Sequence, residues 1–552
     1  MKTLLLLVLL FGSYGASAQP GWHWVNQLTS SAAAVTAKSV TTDPAGNSYV
    51  TGSFQGTLQL EGHNLSSRGN TDLFLVKYSS TGKVMWASQL GQASGTPAPY
   101  PSEAGGADVA LDAAGNAYVV GNFSGTLSYG NARTVSSFSE GFTTALVAKF
   151  DPAGQVQWVE RFGIPQFSCY GYAIATDAAG NSYVTGQADY GGIRFGSQVV
   201  GGSRRVMYVA RYTPTGAVAW AKVSSNYSSY GASGADVTLD GRGNCLVGGF
   251  FNNDLTLEGQ TLTTSGADAY LASFQAASGG LQWLRQGSGP GANKAVYISS
   301  LATDAQGNIY AAGNYSGTVV FGSQQLTSSG SSDQFLARYT RTGALQWVQS
   351  VGTSAPEYNT CLTTTPAGFS TLVGRRLNAD YQPTTLLHCL QPDGSVYHTE
   401  MLGTSGSCTA SSIAQDQAGK LYVAGTLSGT ASFGRTTLQT GARTDGFVAR
   451  LSVPPPGMQG TGPVRPTFQV YPNPTQGRLT ALLLWSKPGM LTTGKALLYN
   501  SLGSPVLTQP LFATGATQVQ ATFDCSSLLP GIYTLKLFTP DGTTYTQGVE
   551  VQ

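Results

Sequence analysis

The sequence contains few of the residue types on which most catalytic and nucleic-acid-binding sites depend. Charged residues make up 10% of the 552 residues, with 29 Lys and Arg against 27 Asp and Glu. Because a nucleic-acid interface needs clustered positive charge and the basic residues here occur at most in pairs, we expect no nucleic-acid partner. There are four histidines, none in an HExxH motif, and neither a GxSxG nor a Walker motif is present. We therefore expect no catalytic residue and no cofactor.

Cysteines and long apolar runs are also scarce. The six cysteines show no CxxC or Cys/His spacing, so no metal site is expected, although Cys361, Cys389 and Cys408 could supply one disulfide. A basic first segment, an apolar run and the small residues Ala16-Ser17-Ala18 predict a secretory signal peptide over residues 1–18. No later run approaches ~18 apolar residues, so we expect an exported chain without a transmembrane segment.

Glycine and aromatic residues are abundant, and one phrase recurs seven times along the chain. Its first copy is TTDPAGNSYVTGSF at residue 41, and further copies begin at 110, 175, 238, 302, 363 and 414. Each copy predicts a β-hairpin in which Asp, replaced by Thr365 in the sixth copy, accepts turn N–H groups and the first Gly takes a left-handed conformation. The final Gly of each copy (Gly52 in the first) predicts a bulge or a close backbone approach.

A second phrase follows each copy about 25 residues later and usually carries a tryptophan in its last strand. Together the phrases predict four strands per unit. The Trp positions are Trp86, Trp158, Trp220, Trp283 and Trp347, with Tyr397 in the sixth unit. The seventh unit runs into prolines before its fourth strand, and the opening stretch GWHWVNQL, with Trp24, supplies the missing strand. This closes a ring and removes both open sheet edges.

These phrases resemble the seven-bladed β-propeller repeat (SBBP type) of bacterial secreted proteins. The resemblance implies an all-β chain with a seven-bladed propeller closed by an N-terminal strand, over residues 19–452. A Pro/Gly-rich linker (453–466) then precedes a small β-sandwich (467–552).

The C-terminal unit is similar to the type A sorting domain of the Bacteroidota type IX secretion system. The matching positions are Tyr471, Pro472, Asn473, Pro474, Gly477, Gly503, Gly531 and Tyr533. This resemblance implies the type IX secretion machinery as a partner and a protein that is secreted or attached to the outer cell surface.

Aromatic residues in the loops between units are the best candidates for ligand binding, because recognition on a rigid scaffold usually lies in its loops. These candidates are Tyr100, Phe167, Tyr170, Tyr227 and Tyr230. The repeated turn Asp is interpreted as a turn cap, with a calcium ligand as the alternative. A second repeated Asp (Asp72, Asp268, Asp333, Asp445) is interpreted as an edge or turn partner.

The sequence therefore favours a monomeric, non-enzymatic binding or structural scaffold with a glycan or protein ligand. One alternative is a propeller-type polysaccharide-degrading lyase or hydrolase, which should break the repeat symmetry with acidic residues near the channel. Glu103, Glu140 and Glu357 are the candidates for that role. A second alternative is an adhesin or envelope component with protein partners.

Overall fold

The computed structural model gives an all-β chain. It describes residues 21–31, 34–92, 103–130, 133–190, 192–201, 204–225, 231–289, 295–353, 355–377, 383–402, 407–434, 436–453, 467–471, 475, 477–484, 494–515, 518–538 and 544–552. No helix occurs in these ranges, and the all-β class with propeller-type repeats is confirmed. The predicted signal peptide and nearly all of the predicted linker lie outside the described residues.

The strands follow one another in repeating groups along the chain. Those of the first half are β1 (Gly21–Ser30), β2 (Val35–Thr42), β3 (Ser48–Phe54), β4 (Thr57–Gln59), β5 (Leu65–Ser66), β6 (Asp72–Tyr78), β7 (Val84–Gln92), β8 (Glu103–Leu111), β9 (Ala117–Ser124), β10 (Thr126–Tyr129), β11 (Arg133–Ser136), β12 (Thr144–Phe150), β13 (Val156–Gly163), β14 (Cys169–Thr176), β15 (Ser182–Ala188), β16 (Ile193–Phe195), β17 (Gln198–Val200), β18 (Val206–Tyr212), β19 (Val218–Val223), β20 (Ala232–Leu239), β21 (Asn244–Leu257), β22 (Gln260–Gln275) and β23 (Leu281–Ser288). Those of the second half are β24 (Ala295–Thr303), β25 (Ile309–Ser316), β26 (Thr318–Phe321), β27 (Gln324–Thr327), β28 (Asp333–Tyr339), β29 (Leu345–Ser350), β30 (Glu357–Thr364), β31 (Ser370–Leu377), β32 (Pro383–Leu390), β33 (Val396–Leu402), β34 (Ser407–Gln415), β35 (Leu421–Phe433), β36 (Thr436–Ser452), β37 (Thr467–Tyr471), β38 (Arg478–Leu484), β39 (Lys495–Tyr499), β40 (Pro505–Pro510), β41 (Phe512–Gly515), β42 (Gln518–Asp524), β43 (Gly531–Phe538) and β44 (Thr544–Val551).

Of the first 36 strands, 28 pair into seven antiparallel four-stranded groups, which we call units 1 to 7. From the inner to the outer strand these are β2-β3-β6-β7, β8-β9-β12-β13, β14-β15-β18-β19, β20-β21-β22-β23, β24-β25-β28-β29, β30-β31-β32-β33 and β34-β35-β36-β1. The first strands of consecutive units contact each other, and β34 of unit 7 contacts β2 of unit 1. The first strands therefore form the inner wall around a common centre.

The N-terminal strand completes unit 7, as the sequence predicts. Residues of β1 from Gly21 to Leu28 pair with β36, and its last two residues pair with β4 of unit 1. Leu28 is fully buried, and Trp22 packs edge-on against Phe433 with ring centroids 5.0 Å apart. One terminal strand thus contacts both unit 7 and unit 1.

Each repeated tryptophan fastens its unit to the next one. The indole N–H donates to a backbone carbonyl in the turn between the third and fourth strands of the following unit, as from Trp86 to Pro152 (3.0 Å). The same ring covers the left-handed Gly of that turn, and a Cβ on Gly154 would lie 2.6 Å from Trp86. Glycine is therefore required there both by its positive φ and by the ring above it. The other contacts of this kind run from Trp24 to Ser80, Trp158 to Pro214, Trp220 to Ala276, Trp283 to Arg341 and Trp347 to Pro392.

The sixth unit departs from the expected substitution of Tyr397 for tryptophan. The strand register pairs Cys389 with His398, as Lys77 pairs with Trp86, so His398 holds the tryptophan position. Tyr397 lies at the bulge beside it and packs between units 6 and 7. The physical reason is that unit 7 has no covalent turn between its third and fourth strands, since the fourth is β1, and a tryptophan in unit 6 would have no turn to cover.

The invariant glycine of the second strand meets a bulge in the first strand, which confirms the predicted close approach. In unit 1 the bulge lies between Ala37 and Ser39, and a Cβ on Gly52 would lie 1.8 Å from the Thr36 carbonyl oxygen. A side chain at this position would force the two strands apart.

Units 1, 2, 3 and 5 contain a feature beyond the predicted four strands. A short hairpin between the second and third strands pairs with the outer strand of the preceding unit, as β10 pairs with β7. In unit 1 the second repeated Asp holds the segment after the hairpin in place: buried Asp72 accepts a hydrogen bond from the Arg68 N–H (3.2 Å) and another from the Gln89 side chain (3.2 Å). Its interpretation as a turn partner is confirmed.

The C-terminal part is a sandwich of two four-stranded sheets, β37-β38-β42-β41 and β40-β39-β43-β44, around its own apolar core. Outward-facing Leu482 is buried against Leu386 and Met401 of unit 6.

All six cysteines are free, so the disulfide considered for the sixth and seventh units is not formed. No helix that could cross a membrane is found among the described residues.

Candidate ligand-binding site

Two pairs of aromatic side chains lie at the loop end of unit 3, Phe167 with Tyr190 and Tyr170 with Tyr172, and we call these four residues the unit 3 aromatic patch. Phe167 belongs to the tight turn before β14, where Ile164 and Phe167 form a β-bridge and Gln166 has φ +68°. Tyr170 lies on β14, and Tyr172 is the residue that bulges from this strand. Tyr190 follows β15. The turn brings Phe167 to Tyr190, and the bulge brings Tyr172 to Tyr170.

The patch is exposed and its rings are paired. Phe167 and Tyr190 have ring centroids 5.4 Å apart, and Tyr170 and Tyr172 stack at 6.1 Å with an interplanar angle of 16°. The exposed fractions are 38% for Phe167, 36% for Tyr172 and 43% for Tyr190. Large aromatic side chains held at such exposure offer flat apolar faces to a ligand.

Polar groups adjoin these rings. Arg205 forms an ion pair with Asp189 (3.5 Å), and Asp189 also accepts a hydrogen bond from Gln187 (3.4 Å). Partial burial, with Tyr170 and Asp189 nearby, raises the pKa of Tyr172 to about 12, so its hydroxyl stays a neutral donor. The arrangement can therefore stack against an apolar ring face and hydrogen-bond to hydroxyl groups at its edge.

Two of the five predicted loop aromatics lie in the unit 3 aromatic patch, each in a different ring pair. Phe167 and Tyr170 are in the unit 3 aromatic patch, whereas Tyr100, Tyr227 and Tyr230 lie outside the described residues. The sequence reasoning missed Tyr172 and Tyr190. Tyr172 could have been found from the alternation of CYGYAIAT, because a bulge opposite Gly186 turns an additional residue of the first strand outward.

Two carboxylates on the inner wall were also missed. Asp108 and Asp236 occupy the same register position in units 2 and 4, just after the bulge of the first strand, and both lie in a shared GADV sequence. Asp108 accepts hydrogen bonds from the Ser39 hydroxyl (2.6 Å) and the Ile174 N–H (2.8 Å), which belong to units 1 and 3. Both carboxylates therefore join neighbouring units, since Asp236 accepts from the Leu301 N–H of unit 5 (2.6 Å).

Burial shifts the protonation of both groups. Desolvation, reinforced by the charge of Asp108, raises the pKa of Asp236 to about 7. Desolvation also raises the pKa of Asp108. An enzyme built from these repeats would need acidic residues that only some units carry, and Asp108 and Asp236 are of this kind. Their oxygens, however, already accept hydrogen bonds from neighbouring strands.

The three glutamates considered for catalysis do not form one group. Glu103 and Glu140 are exposed, whereas Glu357 is 1% exposed and accepts a hydrogen bond from the Thr353 N–H (3.1 Å).

The described residues contain no group of three or more His, Cys, Asp or Glu suited to hold a metal ion. The repeated turn Asp is a turn cap: Asp43 Oδ1 accepts from the N–H groups of Ala45 (3.0 Å) and Asn47 (2.9 Å).

Glu357 should give the stability of the protein a specific pH dependence. Desolvation raises the pKa of Glu357 from 4.5 to about 8, so the folded chain holds a proton that the unfolded chain releases. The stabilisation is complete below pH 4.5 and is lost as the pH rises towards 8. This group should make the unfolding free energy of the wild type fall by about 1 kcal/mol for each pH unit across this interval. We expect Glu357→Gln to remove that part of the fall. Chemical denaturation from pH 4 to 9 measures this, exposed Glu103→Gln is the control, and equal slopes in all three proteins would contradict the assignment.

The predicted sorting residues are distributed over both sheets of the sandwich. Tyr471 ends β37, Gly477 precedes β38, and Gly503 (φ +77°) closes the β39–β40 turn. Gly531 begins β43, and the Tyr533 hydroxyl donates to the Leu529 carbonyl (2.8 Å). Pro472, Asn473 and Pro474 lie outside the described residues.

Two family models match the chain. A model described as a secretion system C-terminal sorting domain matches residues 469–550, and a model described as a beta-propeller repeat matches residues 23–53 and 157–190. The two matched repeats contain Trp24 and Trp158. No curated protein matches the chain significantly.

Three solved structures show distant similarity to the chain. The crystal structure of a protein of unknown function from Dyadobacter fermentans is 10% identical, with a TM-score of 0.36, over 78% of this chain and 99% of that chain. A bifunctional GH43-CE protein from Bacteroides eggerthii is 10% identical, with a TM-score of 0.26, over 68% of this chain and 55% of that chain. A puromycin hydrolase mutant complexed with PGG is 12% identical, with a TM-score of 0.29, over 69% of this chain and 58% of that chain. At these TM-scores none of the three carries an argument about function.

Proposed function

We propose that this chain, which carries β-propeller repeats and a secretion system C-terminal sorting domain, is a surface-displayed scaffold that binds glycans through the unit 3 aromatic patch without cleaving them. The sorting domain indicates export by the type IX system and attachment to the cell surface. The glycan ligand and the non-enzymatic role are the proposal.

The proposed architecture is a ring of seven blades over residues 19–452, a linker over 453–466 and a sorting domain over 467–552. Its support is the chain of contacts between consecutive first strands, together with the contacts of β1 to both unit 7 and unit 1. Such a ring holds the loops of each unit at fixed positions, which reduces the entropy lost when a ligand binds.

The observation that carries the glycan proposal is the pairing of exposed rings with an ion pair at one loop end. A sugar ring has an apolar C–H face and a rim of hydroxyl groups. The faces of Tyr172 and Tyr190 suit the first, and the Arg205–Asp189 pair suits the second. A protein ligand could use the same exposed rings and is an outcome of the test below.

A polysaccharide and glycan array probed with the purified chain, with product analysis on the same spots, tests this proposal. We expect binding without products, and Tyr172→Ala with Tyr190→Ala should weaken it by roughly tenfold to a hundredfold, because each lost aromatic contact costs about 1 kcal/mol. Tyr358→Ala removes a ring of the same exposure as Tyr172 (36%) in unit 6 and is the matched control. Binding that the double variant leaves unchanged would contradict the patch as the site.

A polysaccharide-degrading enzyme is the second candidate, favoured by the two carboxyl groups on the inner wall. In that case the array would release products, and Asp108→Asn or Asp236→Asn would stop their release while binding continued. Binding to neither glycans nor polysaccharides would favour a protein partner.

A further inference from the structure

The sorting domain exposes large apolar side chains at one end of its sandwich. Leu502 is 88% exposed in the β39–β40 turn, Leu529 is 79% exposed in the loop before β43, and Ile532 is 65% exposed on β43. Tyr499 of β39 pairs with Thr534 of β43, so the turn that follows β39 lies at the end where β43 begins. We call Leu502, Leu529 and Ile532 the apolar end of the sorting domain.

Segments that are distant in sequence converge at this end. The Thr475 N–H donates to the Glu550 carbonyl (2.8 Å), and Glu550 pairs with Ile532. The Cys525 N–H donates to the Gly477 carbonyl (2.7 Å), which joins the end of β42 to the start of β38. The residues near Gly477, Gly503 and Gly531, three of the positions in the sorting motif, therefore meet at the apolar end.

These side chains are exposed because the backbone holds them outward. The side chain of Asn500 accepts hydrogen bonds from the N–H groups of Leu502 (3.1 Å) and Ser504 (3.0 Å), which fixes the turn. The Tyr533 hydroxyl fixes the Leu529 loop through its carbonyl (2.8 Å). The core beneath is complete without them, since it is formed by residues such as Leu498, Leu535 and Leu537, all 0% exposed.

Rigidly held apolar side chains in water are unfavourable unless a partner covers them, and clusters of this kind mark protein interaction sites. We propose that the apolar end is the surface by which the sorting domain docks into an apolar groove of a protein of the secretion machinery. This inference rests on the export role of the sorting domain and is independent of glycan binding. We name the secretion machinery as the partner because the sorting-domain family model matches residues 469–550. All three side chains lie within that match.

Surface display of the full chain in a bacterium with a type IX system tests this docking. The variant carries Leu502→Asp, Leu529→Asp and Ile532→Asp. We expect it to reach the surface at least about tenfold less than the wild type and to accumulate inside the cell, because charged groups cannot enter an apolar groove. Protease accessibility on whole cells measures display, and the purified variant should keep the wild-type melting temperature and glycan binding.

The control is Phe512→Asp, which places one charge of the same sign on a side chain that is 61% exposed. Phe512 pairs with Gln520, away from the end of β42 at Asp524 where the sorting segments meet. Normal display of the triple variant would overturn the proposal, as would equal loss in the control. A wild-type dimer that the triple variant dissociates would also overturn it, since the apolar end would then bind a second copy. If the triple variant does not fold, Leu502→Ser with Ile532→Thr is assayed by the same readouts.

Discussion

Deletion of residues 19–30 should abolish cooperative folding of the whole propeller-type part rather than loosen one edge. The deletion removes β1, which pairs with β36 and β4, and it removes Trp24, whose indole binds the Ser80 carbonyl of unit 1 (3.1 Å). Loss of the burial of Trp22, Trp24, Val25 and Leu28 costs about 5–10 kcal/mol, which is comparable to the total stability of many proteins. Calorimetry and size-exclusion chromatography measure the outcome.

A strand-transfer variant provides the control for this deletion. Residues 21–30 are moved behind Ser452 and joined to it by a copy of the unit 1 turn, residues 79–83. Unit 7 then receives the same fourth strand through a covalent hairpin instead of from the N-terminus. We expect this variant to recover the melting temperature and the monomeric state. A truncated chain that melts normally and remains monodisperse would show that β1 does not close the ring.

Deletion of residues 467–552 should leave the propeller-type part folded but keep it inside the cell. The tail has its own core, and among the described residues its apolar contact with unit 6 joins Leu482 to Leu386 and Met401. We therefore expect a melting temperature within a few degrees of the wild type, while surface protein falls to background. Immunoblots of surface, periplasmic and medium fractions measure the distribution.

The complementary chain carries residues 453–552 behind an unrelated exported domain. We expect the tail to bring that domain to the surface, because the sorting domain is the part that the secretion machinery recognises. Undiminished display of the chain that lacks residues 467–552 would disprove the sorting role.

The sequence was a good guide where the relevant contacts are local. The turn formed by Asp43 and Gly46, the close approach at Gly52 and the strand at Trp24 were all predictable, because hairpin turns and alternating strands leave patterns within a few residues. The same reasoning placed Tyr397 at the tryptophan position, which His398 holds; the spacing from the turn glycine, equal for Gly82 to Trp86 and Gly394 to His398, identifies the correct residue.

Features that depend on contacts between units were harder to predict. Asp108 lies in an ordinary strand, and its role becomes visible only when Ser39 and Ile174 approach it from two other units. The short hairpin β10–β11 looks like a loop in the sequence, since its outer partner β7 belongs to the preceding unit. Tyr172 reaches Tyr170 through a bulge, and Tyr190 reaches Phe167 through a turn, so neither contact follows from a sequence motif.

Closure by β1 also determines when the chain can finish folding. The contact between His23 and Ser452 spans 429 residues, so the first strand to leave the ribosome must wait for the last strand of the ring. Joining ends so distant is slow, and units 1 to 6 can form while β1 remains unpaired. The sorting domain is made directly after β36. Every strand of the proposed ring is therefore made before the tail that the secretion machinery recognises. This order of synthesis works against the export of incomplete rings.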